Sequence, residues 1–256
     1  MNVMHGAISL SGISENLAED SRFQVRLAVG RSEIDSALRL RYRVFNSELG
    51  IDTGEHLERD FDSHDGTSDH LLLVERASQE TVGTYRMKTI EQAGSAAGFY
   101  SNEEFTIESL PAEILGNGIE IGRACIAVEH RCTRAIFLLW KALARHISAS
   151  GKRYFFGCCS IFTGDPADGP RAFKYLQSQG LVHDQYRIEP RRPISAPIGN
   201  PAGRFKLPGL FEMYLRIGSR VCGPPIYDAA FGTVDFLVIF DLQEMTPKYR
   251  QMFLEN

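Results

Sequence analysis

Residues 118 to 159 constrain this chain more than any other stretch. Gly118 to Val128 reads as a strand and Arg153 to Cys159 as another, and between them Thr133 to Ser150 repeats apolar residues at Ile136, Leu139, Leu143 and Ile147, with Gly151 just beyond. That spacing is helical, and a glycine past the last periodic residue is a stop signal. A strand, a crossover helix and a strand of this length make a βαβ unit, which predicts a parallel strand pair with the helix on one face. The chain is therefore committed to an α/β sheet.

The flanking segments extend it. Residues 1 to about 21 read as a tail, and Phe23 to Val29 alternates like a strand. Ser32 opens a helix, with Asp35 at the capping-box position and Ile34, Ala37, Leu38, Phe45 and Leu49 at helical intervals up to Gly50. His70–Glu75 and Thr81–Lys88 form a hairpin joined by a polar turn. Pro170 begins a short helix that Gly180 stops, and five of the 11 prolines between Pro190 and Pro208 predict a long loop. A helix near Leu210–Ser219 and a strand near Thr233–Asp241 finish the order, which shows no domain break, so residues 22–256 are assigned to one domain.

Composition removes several classes. With 256 residues, 43% hydrophobic and 23% charged, the chain can bury a core, and no apolar run approaches the roughly 18 residues of a membrane-spanning helix. The start lacks the basic and apolar regions of a secretory signal, so the expected location is the cytoplasm. A net charge of −4 argues against nucleic acid as a partner. Five cysteines, none at a zinc-knuckle or CxxC spacing, read as reduced thiols, and Gly83, Gly118 and Gly122 form no dinucleotide fingerprint.

The residues able to carry chemistry are Arg43, Phe45 and Glu48 on the first helix, Glu58, Asp60, Phe61 and Asp62 in an acidic loop, Val82-Gly-Thr-Tyr-Arg-Met87, Phe105, and Glu120-Ile-Gly-Arg123. In these motifs, from about Phe23 to Leu242, the chain resembles the acyl-carrier-protein-dependent branch of the GCN5-related N-acyltransferase (GNAT) fold. That branch contains ornithine-lipid synthases, N-acyl amino acid synthases and acyl-homoserine-lactone synthases. Arg43-Val-Phe45, Asp60-Phe-Asp62, Thr84-Tyr-Arg86 and Glu120-Ile-Gly-Arg123 look like residues shared by the branch. The stretch Tyr214 to Pro225, with Asp228, Phe231 and Asp235, looks more like the ornithine-lipid and N-acyl amino acid members. Lactone synthases often carry a tryptophan after the first helix, where this chain has Ile51-Asp52.

The resemblance implies a single-domain mixed sheet flanked by helices. The implied reaction moves a long-chain, in some cases 3-hydroxylated, acyl group from acyl carrier protein to the α-amine of an amino acid, ornithine first and a neutral amino acid second. The lactone-synthase reaction ranks third. From other classes, a metal-dependent hydrolase and a non-catalytic lipid- or carrier-binding protein are retained as alternatives. No bound cofactor is expected, since the donor is itself a phosphopantetheine thioester.

Attack of an amine on a thioester needs a proton acceptor, a polarising donor and positioning of both substrates. Glu120, with Arg123, is the candidate catalytic pair. In a regular strand their side chains would point to opposite faces, and Gly122 could host a bulge that re-aims one of them and frees a backbone N–H for the thioester oxygen. Glu48 to Asp69 holds eight acidic residues against one basic. Such density wants cations, and Arg43 and Arg86 are expected to form a buried network with Asp60 and Asp62 that shapes the acceptor pocket, with Phe45 and Phe105 also substrate-binding. Asp52, Glu55 and Asp65 read as solvated.

Near the start of the crossover helix, Glu129-His-Arg-Cys-Thr-Arg134 has no glycine, but its backbone N–H groups could hold one phosphate. Arg131, Thr133 and Arg134 are therefore assigned to the phosphopantetheine arm of the acidic carrier, joined by Lys152, Arg153 and Arg171 for docking. His56, His64 and His70 with Asp60 and Asp62 lack a recognised ligand spacing, and no metal is assigned. The helix around Leu207 to Arg220 reads as core packing, with an acyl tunnel or a peripheral membrane contact as alternatives.

Overall fold

A computed structural model of the chain describes residues 16–48, 50, 58–195 and 205–255. Among them nine strands form one sheet in the order β1-β2-β3-β4-β5-β6-β9-β7, with β8 also paired to β9. The strands are β1 (Asn16–Glu19), β2 (Phe23–Leu27), β3 (Asp69–Glu75), β4 (Thr81–Thr89), β5 (Gly118–Ile126), β6 (Tyr154–Phe162), β7 (Arg220–Val221), β8 (Ile226–Asp228) and β9 (Thr233–Asp241). The helices are α1 (Gly30–Tyr42), the short α2 (Ile90–Ala93), α3 (Ser101–Glu104) and α4 (Ala112–Gly116), then α5 (Thr133–Ala149), α6 (Asp168–Ser178), α7 (Gly209–Ile217) and α8 (Pro247–Leu254).

The hairpin is β3 and β4, antiparallel, and the βαβ unit is β5-α5-β6, whose strands are parallel. Every other pairing between these nine strands is antiparallel. The sheet begins at Asn16, inside the stretch read as a tail, and the remainder of that stretch, residues 1–15, lies outside the described residues.

Each strand sends alternate side chains to opposite faces. One face carries Tyr85 and Met87 of β4, Ile119 of β5, Phe155 of β6 and Phe236, Val238 and Phe240 of β9, packed against α5, α6, α7 and α8. From α5 this layer takes Leu138, Leu139, Trp140, Leu143 and Ile147, each 2% exposed or less, and every such side chain removed from water contributes about 1.5–3 kcal/mol. Truncating Leu139 to alanine in that layer would cost roughly 2–5 kcal/mol. The opposite face carries Tyr154 and Phe156 of β6 and Leu237 and Ile239 of β9, covered by Phe99, Phe105, Ile107 and Ile114 from the segment that holds α3 and α4. Further along that face, Ala37 of α1 packs on Leu72 and Val74.

Helix α1 differs from its sequence reading at both ends. No side chain caps it, and Ser32 lies inside it. Its start is fixed instead by Glu33, whose carboxylate accepts the Val29 N–H and an Arg26 N–H, each at 2.6 Å. After Tyr42 the backbone widens into a π-helical turn, Arg43–Glu48, and Gly50 follows with a φ of 69°, a value that favours glycine. Helix α6 starts at Asp168, two residues before Pro170, and Gly180 stops it with a φ of 64°.

Candidate active site

Strands β5 and β6 are paired over only three residues, Gly118–Glu120 against Tyr154–Phe156. Beyond Glu120 and Phe156 the strands part, and residues 121–124 and 157–160 flank a cavity of about 190 Å³ that passes between the two faces of the sheet. At the fork the Gly157 backbone comes so close to Ile121 that a Cβ on Gly157 would lie 2.2 Å from the Ile121 carbonyl oxygen. Trp140, Phe155, Phe211, Tyr214 and Phe240 line the cavity on the α5–α7 face. Arg86, Lys88, Ser101, Glu120, Arg123 and Asp235 line it on the other.

A bulge sets the polar side. Thr84 pairs with Cys125 and Arg86 with Gly122, so β5 holds one more residue here than β4. The distortion falls on Arg123, with a φ of 49°, rather than on Gly122 as the sequence suggested. Its extra residue turns Arg123 onto the face that bears Glu120. There the Arg123 Nη2 donates to Asp62 at 3.1 Å, and its guanidinium lies over the rings of Tyr100 and Phe231. Glu120 is 6% exposed and accepts the backbone N–H groups of Tyr100 at 3.1 Å and Ser101 at 2.7 Å.

The acidic loop is neutralised by three arginines, but Arg43 is not one of them. Arg43 is exposed on the π turn, whereas Arg41, two positions earlier, is fully buried. Arg41 donates to Asp60 at 2.6 Å and to both oxygens of Asp65, at 2.6 and 3.2 Å. Arg86 donates to Asp62 at 2.5 Å and Asp65 at 3.2 Å. Three arginines thus meet three aspartates. Asp65, expected to be solvated, is 2% exposed at the centre. Burial alone would raise the Asp62 and Asp65 carboxyls, but the charges and hydrogen bonds of Arg86 and Arg41 hold both below the usual carboxylate range.

The remaining expected residues are scattered. Phe45 lines the cavity from the π turn, while Phe105 is buried behind α3 and does not reach it. Arg131 and Arg134 are exposed near the start of α5 and pair with Glu48 and Asp20, and Thr133 opens that helix. Lys152 and Arg153 lie past the other end of this 17-residue helix, about 25 Å away at 1.5 Å per residue, so one patch does not unite them with Arg131. They pair with Glu91 and Asp241, and Arg171 with Asp168. His64 contacts Glu103 and His70 contacts Asp65, as separate pairs, and Asp52, Glu55 and His56 lie outside the described residues. Cys158 and Cys159 border the cavity, and burial pushes both thiols well above their ordinary range, which disfavours the thiolate a nucleophile needs.

Several polar groups at or beside the cavity carry no site role in the sequence reading, although Asp228 and Asp235 enter it through the resemblance. Lys88, opposite Glu120 in the β4–β5 register, is 3% exposed, and its ammonium donates to the Gly98 carbonyl at 3.2 Å. Burial lowers its pKa while Glu120 opposes that shift. Glu104 of α3, Asp228 of β8 and Asp235 of β9 bring carboxylate oxygens within 4.8 Å of one another. The readable signal was Asp235 itself, a lone acid inside the apolar run from Val234 to Phe240.

Known proteins share this architecture. Residues 40–141 match the family described as an acetyltransferase (GNAT) domain. Over 244 residues the chain is 33% identical to the L-ornithine N(alpha)-acyltransferase of Brucella abortus (strain 2308), an alignment covering 88% of this chain and 86% of that protein. The chain belongs to the L-ornithine N(alpha)-acyltransferase family. The Rhizobium meliloti (strain 1021) member is 30% identical over 253 residues, 92% of this chain and 86% of its own. Among solved structures, the acyl-homoserine-lactone synthase LasI superposes with a TM-score of 0.56 at 13% identity, covering 93% of this chain and 97% of LasI. The coenzyme A-dependent synthase BjaI gives 0.52 at 13% identity, covering 87% and 80%. At such identities the likeness is one of fold. The chain is an N-acyltransferase with the GNAT fold.

Proposed function

We propose that this enzyme transfers a long-chain acyl group, 3-hydroxylated chains included, from the phosphopantetheine thioester of acyl carrier protein to the α-amine of L-ornithine. The observation that carries the reading is the cavity through the β5–β6 fork, apolar on one face of the sheet and polar on the other. A hydrocarbon chain fits the end lined by Trp140, Phe155, Phe211 and Phe240, since burying it there gains about 0.8 kcal/mol per methylene. The amino acid fits the end lined by charge.

In this reading the thioester carbonyl sits at the fork. The amine nitrogen attacks the carbonyl carbon, the carbon–sulfur bond breaks, and the phosphopantetheine sulfur leaves as a thiolate that takes up a proton. Glu120 accepts the amine's proton through a water. Its two oxygens each accept one backbone N–H, which fixes the carboxylate and leaves a lone pair on each for that water. The bulge leaves one residue of β5 outside the ladder, and its N–H is assigned to the carbonyl oxygen. Arg86 and Arg123 form the charged wall that orients the amino acid, with Asp60, Asp62 and Asp65 holding them in place.

Arg131, Thr133 and Arg134 are assigned to the carrier's phosphate. No helix among the described residues is long and apolar enough to cross a membrane. The product carries a long chain, so work at the cytoplasmic face of a membrane belongs to the same proposal. Formation of N-acylornithine by the purified chain from 3-hydroxyacyl carrier protein and L-ornithine tests it; free fatty acid as the sole product would sink it.

A further inference from the structure

Asp228 and Asp235 line the polar end of the cavity, Glu104 lies beside them with a carboxylate oxygen within 4.8 Å of theirs, and among the described residues none of the three makes an ion pair. Glu104 Oε1 accepts the Tyr100 hydroxyl at 2.9 Å, Asp235 Oδ2 accepts the Thr233 hydroxyl at 3.1 Å, and Asp228 Oδ1 accepts the N–H groups of Ala230 and Phe231 at 2.8 and 3.3 Å. Glu104 Oε2 and Asp235 Oδ1 are buried with no partner at hydrogen-bond distance. Glu104 and Asp235 are 3% and 4% exposed, and burial raises both carboxyls above their ordinary range, helped by the charge of Asp235 on Glu104 and of Asp228 on Asp235. The rise is eased by Cys158 and Tyr100 beside Glu104 and by the Ser160 and Thr233 hydroxyls beside Asp235. Three carboxylates in such a place call for a cation.

A donor without an acceptor lies in the same cavity. Arg123 Nε is buried with no hydrogen-bond partner, and an Asp60 carboxylate oxygen stands 3.7 Å from it. Tyr100 spans the two groups: Arg123 sits over its ring at 5.1 Å while its hydroxyl meets Glu104. Phe231, the other ring under Arg123, is three residues from Asp228. An orphaned cationic donor and orphaned carboxylates in one cavity match a molecule that bears a carboxylate at one end and an ammonium at the other. An alkylammonium offers three N–H donors, one for each carboxylate. A divalent metal would compete for the same two oxygens, Glu104 Oε2 and Asp235 Oδ1, and the experiment below separates the two occupants.

We infer that Glu104, Asp228 and Asp235 bind the side-chain ammonium of the acceptor amino acid, while Arg123 Nε takes its α-carboxylate. This rests on the acyltransferase reading above and deepens it: the trio is what makes the acceptor dibasic. Asp60, Asp62 and Asp65, by contrast, are matched one to one by arginines and have no charge to spare.

The test compares kcat/KM for L-ornithine with that for L-norvaline, its uncharged analogue, using one acyl carrier donor, in the parent chain and in E104Q, D228N and D235N. Selectivity for ornithine should fall by at least about tenfold in each variant, through a raised ornithine KM. Asp228 is half-buried, so D228N keeps the test open if the other two fail to fold. Selectivity within about twofold of the parent in every folded variant would overturn the inference while leaving ornithine acylation intact. Stoichiometric binding of Mg²⁺ or Mn²⁺ that D228N abolishes, with selectivity unchanged, would assign the trio to a metal and overturn it equally. A parent chain that acylates neither amino acid would remove the acyltransferase reading, and the inference with it.

Discussion

Glu120 Oε1 accepts the Ser101 N–H at 2.7 Å, which ties a carboxylate of the central sheet to the first residue of a helical turn in the layer above. The bond fixes Glu120 at the end of the paired part of β5, where the fork to β6 opens. A general base held there should be sensitive to a change of one atom. Glu120→Gln should lower turnover by roughly 10² or more. It also places an NH₂ against one of the two backbone donors, at about 1–3 kcal/mol of stability. Turnover is therefore to be measured well below the variant's own unfolding temperature, and near-normal rates there would remove Glu120 from the chemistry.

Arg41 is the keystone of the charge network rather than a surface residue of α1. Replacing it with methionine keeps the bulk but leaves Asp60 and Asp65 buried without their main cation, which should cost about 3–5 kcal/mol. Thermal unfolding of R41M measures this, and a Tm equal to the parent's would show the network to be neutral. The network also sets acid lability. Asp62 and Asp65 have folded pKa values below their ordinary 3.8, so their contribution is fully present above that value and is lost as pH falls from it through the lower folded values. Acid unfolding of the parent should steepen below about pH 4 and flatten when Asp65 is replaced by asparagine.

Arg131 and Arg134 have side chains 43% and 59% exposed, and their ion pairs with Glu48 and Asp20 are each worth at most about 1 kcal/mol. Reversing both charges should leave stability nearly unchanged. If they meet the acidic carrier, the R131E/R134E variant should raise the KM for acyl carrier protein with little change in kcat, and an unchanged KM would place docking elsewhere.

Much of the sheet was legible because its signals are local. The β3–β4 hairpin, the β5-α5-β6 unit, α7 and β9 each carry a clear period over eight or more residues, and turn or stop residues bound them. Strands β1, β7 and β8, of four, two and three residues, are too short to carry a period and exist because the sheet edge pairs them. The choice of Arg41 over Arg43 was not legible, since the two lie about 200° apart around a helix and only the packing of α1 decides which faces inward. The bulge at Arg123 was expected one residue earlier, because glycine is the usual host of a positive φ. Glu104, Asp228 and Asp235 come from three elements more than 120 positions apart at the extremes, and only the folded sheet joins them. Single polar residues inside apolar strands, such as Asp235 and Glu120, were the part of the site a sequence can expose.

The most direct test of the central claim is the initial rate of thiol release from 3-hydroxyacyl carrier protein, measured with a panel of amino acids and with acyl-coenzyme A as a parallel donor. Release from the carrier that L-ornithine stimulates, and that neutral amino acids and the coenzyme A thioester do not match, is the predicted result. Release independent of the amino acid, or seen only with acyl-coenzyme A, would contradict it.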